Sequence, residues 1–311
     1  MNKHKSQYLK TRLAPTPSGY LHLGNVLSFA ITAAIAQKTG AKILLRIDDL
    51  DRNRVNKAYV EDIFETLNFL EIPWHEGPRS YQEYEREWSQ VHRMEIYQKA
   101  LDQLKELNHV FACTCSRSQL AGSESYPGIC KHTGFDLGNE NTSWRLDTSI
   151  KRELIIKTWC NGLIKRELPT VIEDFVVRKK DGYPAYQLSS LVDDVYFDVD
   201  LIVRGTDLWP STLAQHYLAS TLNYNAFLNA TFHHHPLLME AGTKKLSKSA
   251  GSTSVKYLRE QGKRPANVYK AILEIIGVSI ECEITNWQEL VDEIEKVQFN
   301  HEIHEEDTKE H

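Results

Sequence analysis

Between residues 8 and 70 two hydrophobic periodicities alternate in a fixed order, and that order limits the fold more than any other feature of the sequence. Residues 8–14 read as a short strand that runs into a Pro-rich turn, Ala14 to Gly19. Leu23, Leu27, Ala30, Ile31, Ala34 and Ile35 then recur at helical spacing, with Gly40 as a stop. Ala41 to Ile47 is a compact apolar run suited to a buried strand. Val60, Ile63, Phe64, Leu67 and Leu70 mark one face of a second helix. Strand–helix–strand–helix order predicts an α/β domain with a parallel sheet.

A longer helix is predicted around 84–107, with Tyr97, Leu101, Leu104 and Leu107 aligned. From about 108 to 185 the pattern changes to short strands, turns and a cysteine cluster, which reads as an insertion. Strand and helix patterns return over Leu188–Val195, Asp200–Arg204 and Pro210–Leu222, and the chain after Lys248 looks helical, ending in Trp287–Val297. The expected organisation is therefore a Rossmann-like parallel-sheet domain in two halves, 1–107 and 186–242. The insertion 108–185, with its cysteine cluster, splits it, and a C-terminal helical region, 243–299, and a disordered acidic tail, 300–311, are expected to follow.

Composition narrows the class. The chain has 311 residues, 41% of them hydrophobic and 25% charged, which is ordinary globular composition. No apolar stretch approaches the roughly 18–20 residues that span a bilayer, and Ala14-Pro15-Thr16-Pro17 interrupts any signal-like segment. Five irregularly spaced cysteines argue against a disulfide scaffold and for a reducing cytosol. A cytoplasmic protein without membrane contact is expected. The net charge of −5 hides an asymmetry: residues 243–270 carry eight Lys/Arg against Glu260 alone, and 281–311 carry eleven Asp/Glu against Lys296 and Lys309. The first stretch suits a polyanion; either could equally be a solvated helical face.

Three constellations could carry chemistry. In Arg12-Leu13-Ala14-Pro15-Thr16-Pro17-Ser18-Gly19-Tyr20-Leu21-His22-Leu23-Gly24-Asn25 a strand ends in a rigid turn and a helix begins. A helix N-terminus offers unpaired amides and the positive dipole end to a phosphate. Gly24 permits close backbone approach, and His22 and Asn25 could hydrogen-bond phosphate or ribose oxygens. In Lys244-Lys245-Leu246-Ser247-Lys248-Ser249, followed by Gly251, lysines flank serines in a cationic loop able to reach polyphosphate oxygens. In the third, Cys113, Cys115 and Cys130 place three thiols within a turn-rich segment and could close on one Zn²⁺ with Tyr126 or His132 as fourth ligand. Cys160 and Cys282 look like ordinary small hydrophobes. His233-His234-His235 do not converge easily, because adjacent strand residues face opposite sides.

Together the first two constellations resemble the HIGH and KMSKS pair of class I aminoacyl-tRNA synthetases. Arg46-Ile47-Asp48-Asp49-Leu50-Asp51-Arg52, Asp174-Phe175-Val176-Val177, Asp181 to Leu188, Val192-Asp193-Asp194 and Val203-Arg204-Gly205-Thr206-Asp207-Leu208 are similar to the glutamyl branch, in family order. The chain ends about 60 residues after Lys248, and so resembles the glutamyl-Q tRNA(Asp) synthetase family more than complete glutamyl-tRNA synthetases with their C-terminal anticodon-binding region.

That resemblance implies ATP-dependent activation of L-glutamate to glutamyl-adenylate, with Mg²⁺ on the phosphates, and transfer to queuosine in the anticodon of tRNA(Asp) by a monomer. It implies catalytic His22 and Lys248, and ATP-binding His22, Gly24, Asn25, Lys245 and Lys248. Glutamate would meet Arg12, Leu13, Ala14, Pro15, Thr16, Asp48, Tyr186 and Arg204, and one structural zinc would sit on Cys113, Cys115, Tyr126 and Cys130. Asp48 departs from the family, which has glutamate there. Ser190 stands where full-length enzymes often have asparagine. Asp49 and Asp51 are candidates for metal or loop-anchoring roles, with a solvated turn as the simpler reading. The competing readings are a truncated glutamyl-tRNA synthetase charging a tRNA 3′ end and a catalytically silent zinc-containing RNA-binding module.

Overall fold

The computed structural model describes residues 7–236, 254–278 and 284–298. Lys245, Lys248 and the rest of the 244–249 motif, Cys282 and the 300–311 tail lie outside the described residues.

Strand β1 (Lys10–Leu13) and strand β2 (Lys42–Leu45) pair in parallel, and helix α1 (Leu23–Thr39) connects them. Gly40 ends α1 in the left-handed region, φ 75°, with its amide on the Ala36 carbonyl, so the stop expected there is a C-cap. α1 is buried around most of its circumference, from Val26 through Ala36. It packs against β1, β8 (Leu201–Gly205), α9 (Pro265–Ile275) and α10 (Trp287–Gln298). α2 (Lys57–Phe69) follows, its first turn capped by the Asn56 side chain.

The single helix expected over 84–107 is broken. A short α3 (Tyr81–Glu83) runs into a π turn at Tyr84–Trp88 and a 3₁₀ turn at Gln90–Arg93 before α4 (Met94–Glu106) begins. Tertiary hydrogen bonds outweigh the periodicity. The buried Asp49 carboxylate takes Tyr84 Oη, Ser89 Oγ and the Gln90 amide (2.8 Å), and Arg93 turns inward onto Asp193. Leu107, expected on the buried face, is the exposed C-cap of α4.

Strands β3 (Val110–Cys113), β4 (Ser143–Leu146) and β7 (Val176–Arg178) form an antiparallel sheet in the order β3-β4-β7. The antiparallel hairpin β5 (Leu154–Thr158)–β6 (Gly162–Arg166) is joined to β9 (Thr231–His235), which pairs in parallel with both β5 and β8. The sheet β6-β5-β9-β8 is therefore mixed, not wholly parallel as expected, because the hairpin supplies its edge. Helices α5 (Tyr186–Tyr196), α6 (Trp209–Leu222) and α7 (Asn225–Leu228) flank it, and α8 (Val255–Glu260) opens the last helical stretch. Trp287–Gln298 is helical, as its pattern predicts.

Two apolar clusters meet across the sheets. Strand alternation sends Ile43 and Leu45 into the cluster around α1, α2, α9 and α10, and Leu44 into the cluster around α4, α5 and α6. No helix among the described residues is long and apolar enough to cross a membrane.

Candidate active site

A cleft of about 1190 Å³ opens beyond the carboxyl ends of β1, β2 and β8 and against the start of α1. The carboxyl edge of parallel strands is where α/β folds place ligands, because the loops that leave the strands there face one another. The turn after β1 is held open by two backbone bonds to the chain after β2: the Arg46 amide donates to the Leu13 carbonyl and the Asp48 amide to the Pro15 carbonyl, both at 2.9 Å. Arg12, Leu13, Ala14, Pro15, Thr16, Asp48, Tyr186 and Arg204 all line the cleft, with His22, Gly24 and Asn25 at the α1 end. Sequence reasoning thus names one continuous surface.

His22 and Asn25 are first of all caps. The His22 ring Nδ1 accepts from the Gly24 amide and Asn25 Oδ1 accepts from the His22 amide, each at 3.1 Å. These bonds fix the first turn of α1 and leave its remaining N-terminal amides toward the cleft, where the dipole favours an anion.

The floor is a network of buried charges. Arg46 chelates Asp48, with Nε on Oδ1 at 2.7 Å and Nη2 on Oδ2 at 3.0 Å. Its Nη1 meets Asp194 Oδ1 at 2.7 Å, and Nη2 meets Ser190 Oγ at 3.2 Å. Arg12 donates to the same Asp194 oxygen at 3.0 Å and to the Val203 carbonyl at 3.2 Å. Burial would weaken the Arg46 cation, but Asp48, Asp194 and Asp193 outweigh it and hold it charged. Burial also lifts the Asp48 carboxyl, against Arg46. Asp194 moves the other way: burial is outweighed by Arg12, Arg46 and Arg204.

Arg204 differs from the other arginines. It is 3% exposed, and its only hydrogen bonds among the described residues go from Nη1 to neutral oxygens, Thr212 Oγ1 at 3.2 Å and Gln215 Oε1 at 2.9 Å. Its Nε and Nη2 have no partner among the described residues. Burial, with Arg12 and Arg46 adding repulsion against Tyr186 and Asp194, lowers its pKa from the ordinary arginine range to about 10. A buried cation with two unused donors facing a cleft is suited to a ligand carboxylate. Tyr186, at the start of α5 and 42% exposed, flanks the same end.

Asp49 corrects the reading of its turn. It is fully buried, and the donors noted above together with Arg52 Nη1 (2.6 Å) make it a loop anchor rather than a solvated side chain. Asp51 is exposed and pairs with Arg54 at 3.7 Å. The three histidines of β9 are buried: His234 Nε2 lies 2.9 Å from Thr212 Oγ1, behind Arg204, and His235 lines the cleft. Sequence reasoning quoted Arg46, Asp193 and Asp194 without giving them roles, and it missed Gln90, Arg93, Thr212 and Gln215. Asp193 takes Arg93 through two bonds (2.8 and 3.0 Å), Tyr97 Oη at 2.6 Å and Gln90 Nε2 at 2.9 Å. The available signal was charge within otherwise apolar segments.

In the segment 108–185, Cys113, Cys115 and Cys130 bring their Sγ atoms within 4.8 Å of one another, and Cys115 and Cys130 are 3.5 Å apart. Tetrahedral zinc with bonds of roughly 2.3 Å spaces its sulfurs about 3.8 Å apart, so the three thiols fit that ion. Tyr126 Oη accepts from the Cys130 amide at 2.8 Å, inside the cluster, whereas His132 is exposed. Burial pushes the Cys130 thiol up, but the Thr114 amide and the neighbouring Cys115, Thr114 and Tyr126 side chains bring it down to about 6. Cys115 is pushed up to about 11 by burial and by its two neighbours. A lowered thiol at Cys130 is a receptive start for a cation.

Comparison with known proteins gives the chain's family. The family described as tRNA synthetases class I (E and Q), catalytic domain, matches residues 8–126 and 139–309. A glutamyl-Q tRNA(Asp) synthetase of Methylococcus capsulatus is 34% identical over 257 residues, 82% of this chain and 80% of that protein. One of Dechloromonas aromatica is 33% identical over 246 residues, 76% and 77%. A glutamate–tRNA ligase of an Anaeromyxobacter species is 29% identical over 91% of this chain, which spans 61% of its length. The crystal structure of the glutamate-tRNA synthetase from Elizabethkingia anophelis superposes with a TM-score of 0.73 at 22% identity, over 92% of this chain and 65% of that one, and so shares the fold. The chain belongs to the class I (E and Q) tRNA synthetases and is a ligase of the aminoacyl-tRNA synthetase type.

Proposed function

We propose that this protein activates L-glutamate with ATP, without tRNA, and transfers the glutamyl group to queuosine in the anticodon of tRNA(Asp). The observation that carries the amino-acid half is Arg204, a buried guanidinium with two unused donors, set in a cleft beside Arg12, Asp48 and Tyr186. A glutamate side-chain carboxylate completes Arg204 bidentately. Asp48, held by Arg46, offers its remaining acceptor capacity to the ammonium group.

In the first step the glutamate α-carboxylate oxygen attacks the α-phosphorus of ATP, the bond to the β-phosphate oxygen breaks, and pyrophosphate leaves. No side chain forms a covalent bond. The α1 N-terminus and His22 face the phosphates, and Lys245 and Lys248 belong, on this reading, to the same task of stabilising charge on the departing pyrophosphate. Mg²⁺ bound with ATP neutralises the phosphate oxygens. In the second step a nucleoside hydroxyl attacks the adenylate carbonyl, and AMP leaves. Cys113, Cys115, Tyr126 and Cys130 would hold zinc with four protein groups, and the ion would then shape the insertion rather than take part in catalysis.

The queuosine reading draws support from the relatives of that name, which this chain matches over 77–80% of their length. The similarity to a glutamate–tRNA ligase over 91% of the chain favours a second reading, esterification of a tRNA 3′ end. Glutamate-dependent ATP–pyrophosphate exchange without tRNA, followed by charging of tRNA(Asp) with and without queuosine, separates them. Absence of exchange refutes both, and queuosine-independent charging of tRNA(Glu) selects the second.

A further inference from the structure

The cleft has a second wall, where the start of α1 meets the start of α8. Leu21, His22 and Gly24 line it from the α1 side, and Ser254, Lys256 and Tyr257 from the α8 side. The two segments run antiparallel. His22 and Ser254 form a β-bridge, the Val255 amide donates to the Leu21 carbonyl at 2.8 Å, and Lys256 Nζ donates to Tyr20 Oη at 3.2 Å. Ser254 Oγ caps α8 by accepting the Tyr257 amide at 3.1 Å.

Asp62, outside the cleft on α2, ties both segments to a third element. It is 2% exposed; Oδ2 accepts the Leu21 amide at 3.3 Å and Oδ1 accepts Arg259 Nη2 from α8. Arg259 Nη1 also reaches Glu65 Oε2 at 2.8 Å, one turn along α2. The Leu21 residue is thus held at both ends, its amide by α2 and its carbonyl by α8. A buried carboxylate is costly to place, and packing alone would be served by an apolar side chain. What the carboxylate adds is direction: two oxygens fix two donors from different segments at a set separation.

We infer that Asp62 and Arg259 are positioning residues for nucleotide activation, a clamp that sets the N-terminus of α1 against the start of α8. This deepens the ligase reading and rests on it. Neither residue touches substrate; each acts through Leu21, His22 and the α8 start. The clamp belongs to the nucleotide end, since Arg12, Asp48, Tyr186 and Arg204 have no bond to it among those described.

The test uses the full chain with Arg259→Gln, Arg259→Lys and Asp62→Asn, read in two ways. Deuterium exchange of the Leu21 and Val255 amides should quicken about tenfold in Arg259→Gln, as expected for one lost charge-assisted hydrogen bond. In pyrophosphate exchange, KM for ATP should rise or kcat fall by about tenfold while KM for glutamate stays within about twofold, and Arg259→Lys should recover most of the loss. Should Asp62→Asn fail to fold, Arg259→Gln, altered at a partly exposed side chain, carries both readouts. Unchanged amide exchange overturns the clamp, even if the wild-type chain shows no ligase activity and the proposed function falls. Faster amide exchange with unaltered ATP parameters, or with equal losses toward ATP and glutamate, overturns the positioning role.

Discussion

Replacing Arg204 by methionine separates its roles in binding and in stability, and the structure predicts a large loss of the first with little change in the second. Its Nε and Nη2 are free to donate to one carboxylate, and each charge-assisted hydrogen bond contributes about 1.5–3 kcal/mol. Losing two should therefore cost roughly 3–6 kcal/mol, or about 10²–10⁴-fold in kcat/KM for glutamate. Stability should move little. At neutral pH the arginine is charged in both states, and its folded pKa lies below the ordinary arginine range, at about 10, so the fold carries a penalty for the cation on the order of 3 kcal/mol. Methionine removes that penalty but leaves Gln215 Oε1 and Thr212 Oγ1 without their donor, which costs about 1–3 kcal/mol. The two nearly cancel.

Pyrophosphate-exchange kinetics with glutamate and ATP varied separately, next to a thermal melt, reads both quantities. The expected result is a large rise in KM for glutamate, little change in KM for ATP, a midpoint within a few degrees of wild type, and loss of discrimination between glutamate and glutamine. An unchanged KM for glutamate would refute the assignment. So would a loss of activity that follows a collapse of the melting midpoint.

Three further outcomes are expected. Zinc measured in the purified protein should be lost in Cys113→Ser and weakened in Tyr126→Phe but kept in His132→Ala; retention of zinc in Cys113→Ser sinks the cluster assignment. Asp49→Asn should lower unfolding stability by about 3 kcal/mol, since its donors lose a buried carboxylate, and a denaturant midpoint equal to wild type would return the residue to the solvated-turn reading. His216 is buried between Phe227 and Phe232 with neither ring nitrogen partnered among the described residues, and burial followed by Arg204 lowers its pKa to about 3. Because the unfolded chain protonates near 6.5, stability should fall by about 1.4 kcal/mol per pH unit below that value, down to pH 3; melts of His216→Leu should be flatter over this window, and parallel curves would exclude the residue as the cause.

The parts of the fold carried by local pattern were legible in the sequence. Leu23–Thr39 and Lys57–Phe69 have one residue class at one period, and Gly40 supplies a stop whose chemistry is local. The helix expected over 84–107 failed for a non-local reason, since Ser89, Gln90 and Arg93 answer to Asp49 and Asp193, the latter about a hundred positions away. The β5–β9 pairing is similar: nothing near Leu154–Thr158 signals that its partner is Thr231–His235. Within the site, residues on the Pro-rich turn could be named because turn, glycine and helix start are adjacent in sequence. Thr212 and Gln215 could not, since their role is only to face Arg204 from another helix.

The missed residues explain why the named ones can bind a charged substrate. Arg12 and Arg46 share one oxygen of Asp194, Arg46 also holds both oxygens of Asp48, and Arg93 holds Asp193. Those arginines are neutralised in place, so they shape the pocket without presenting a free charge to it. Arg204 alone is held by neutral oxygens, and it lines the cleft. A ligand entering here finds Arg204, whose hydrogen bonds among the described residues go to neutral oxygens, and Asp48, a carboxylate already tethered by its arginine. An amino acid with a side-chain carboxylate satisfies that arrangement and leaves its α-carboxylate for attack on a phosphate. An amide side chain would leave Arg204 buried and uncompensated, which is the more costly of the two mismatches. On the proposed function, selectivity for glutamate over glutamine would follow from the two unused donors of Arg204, and the methionine variant would remove that selectivity together with the binding energy.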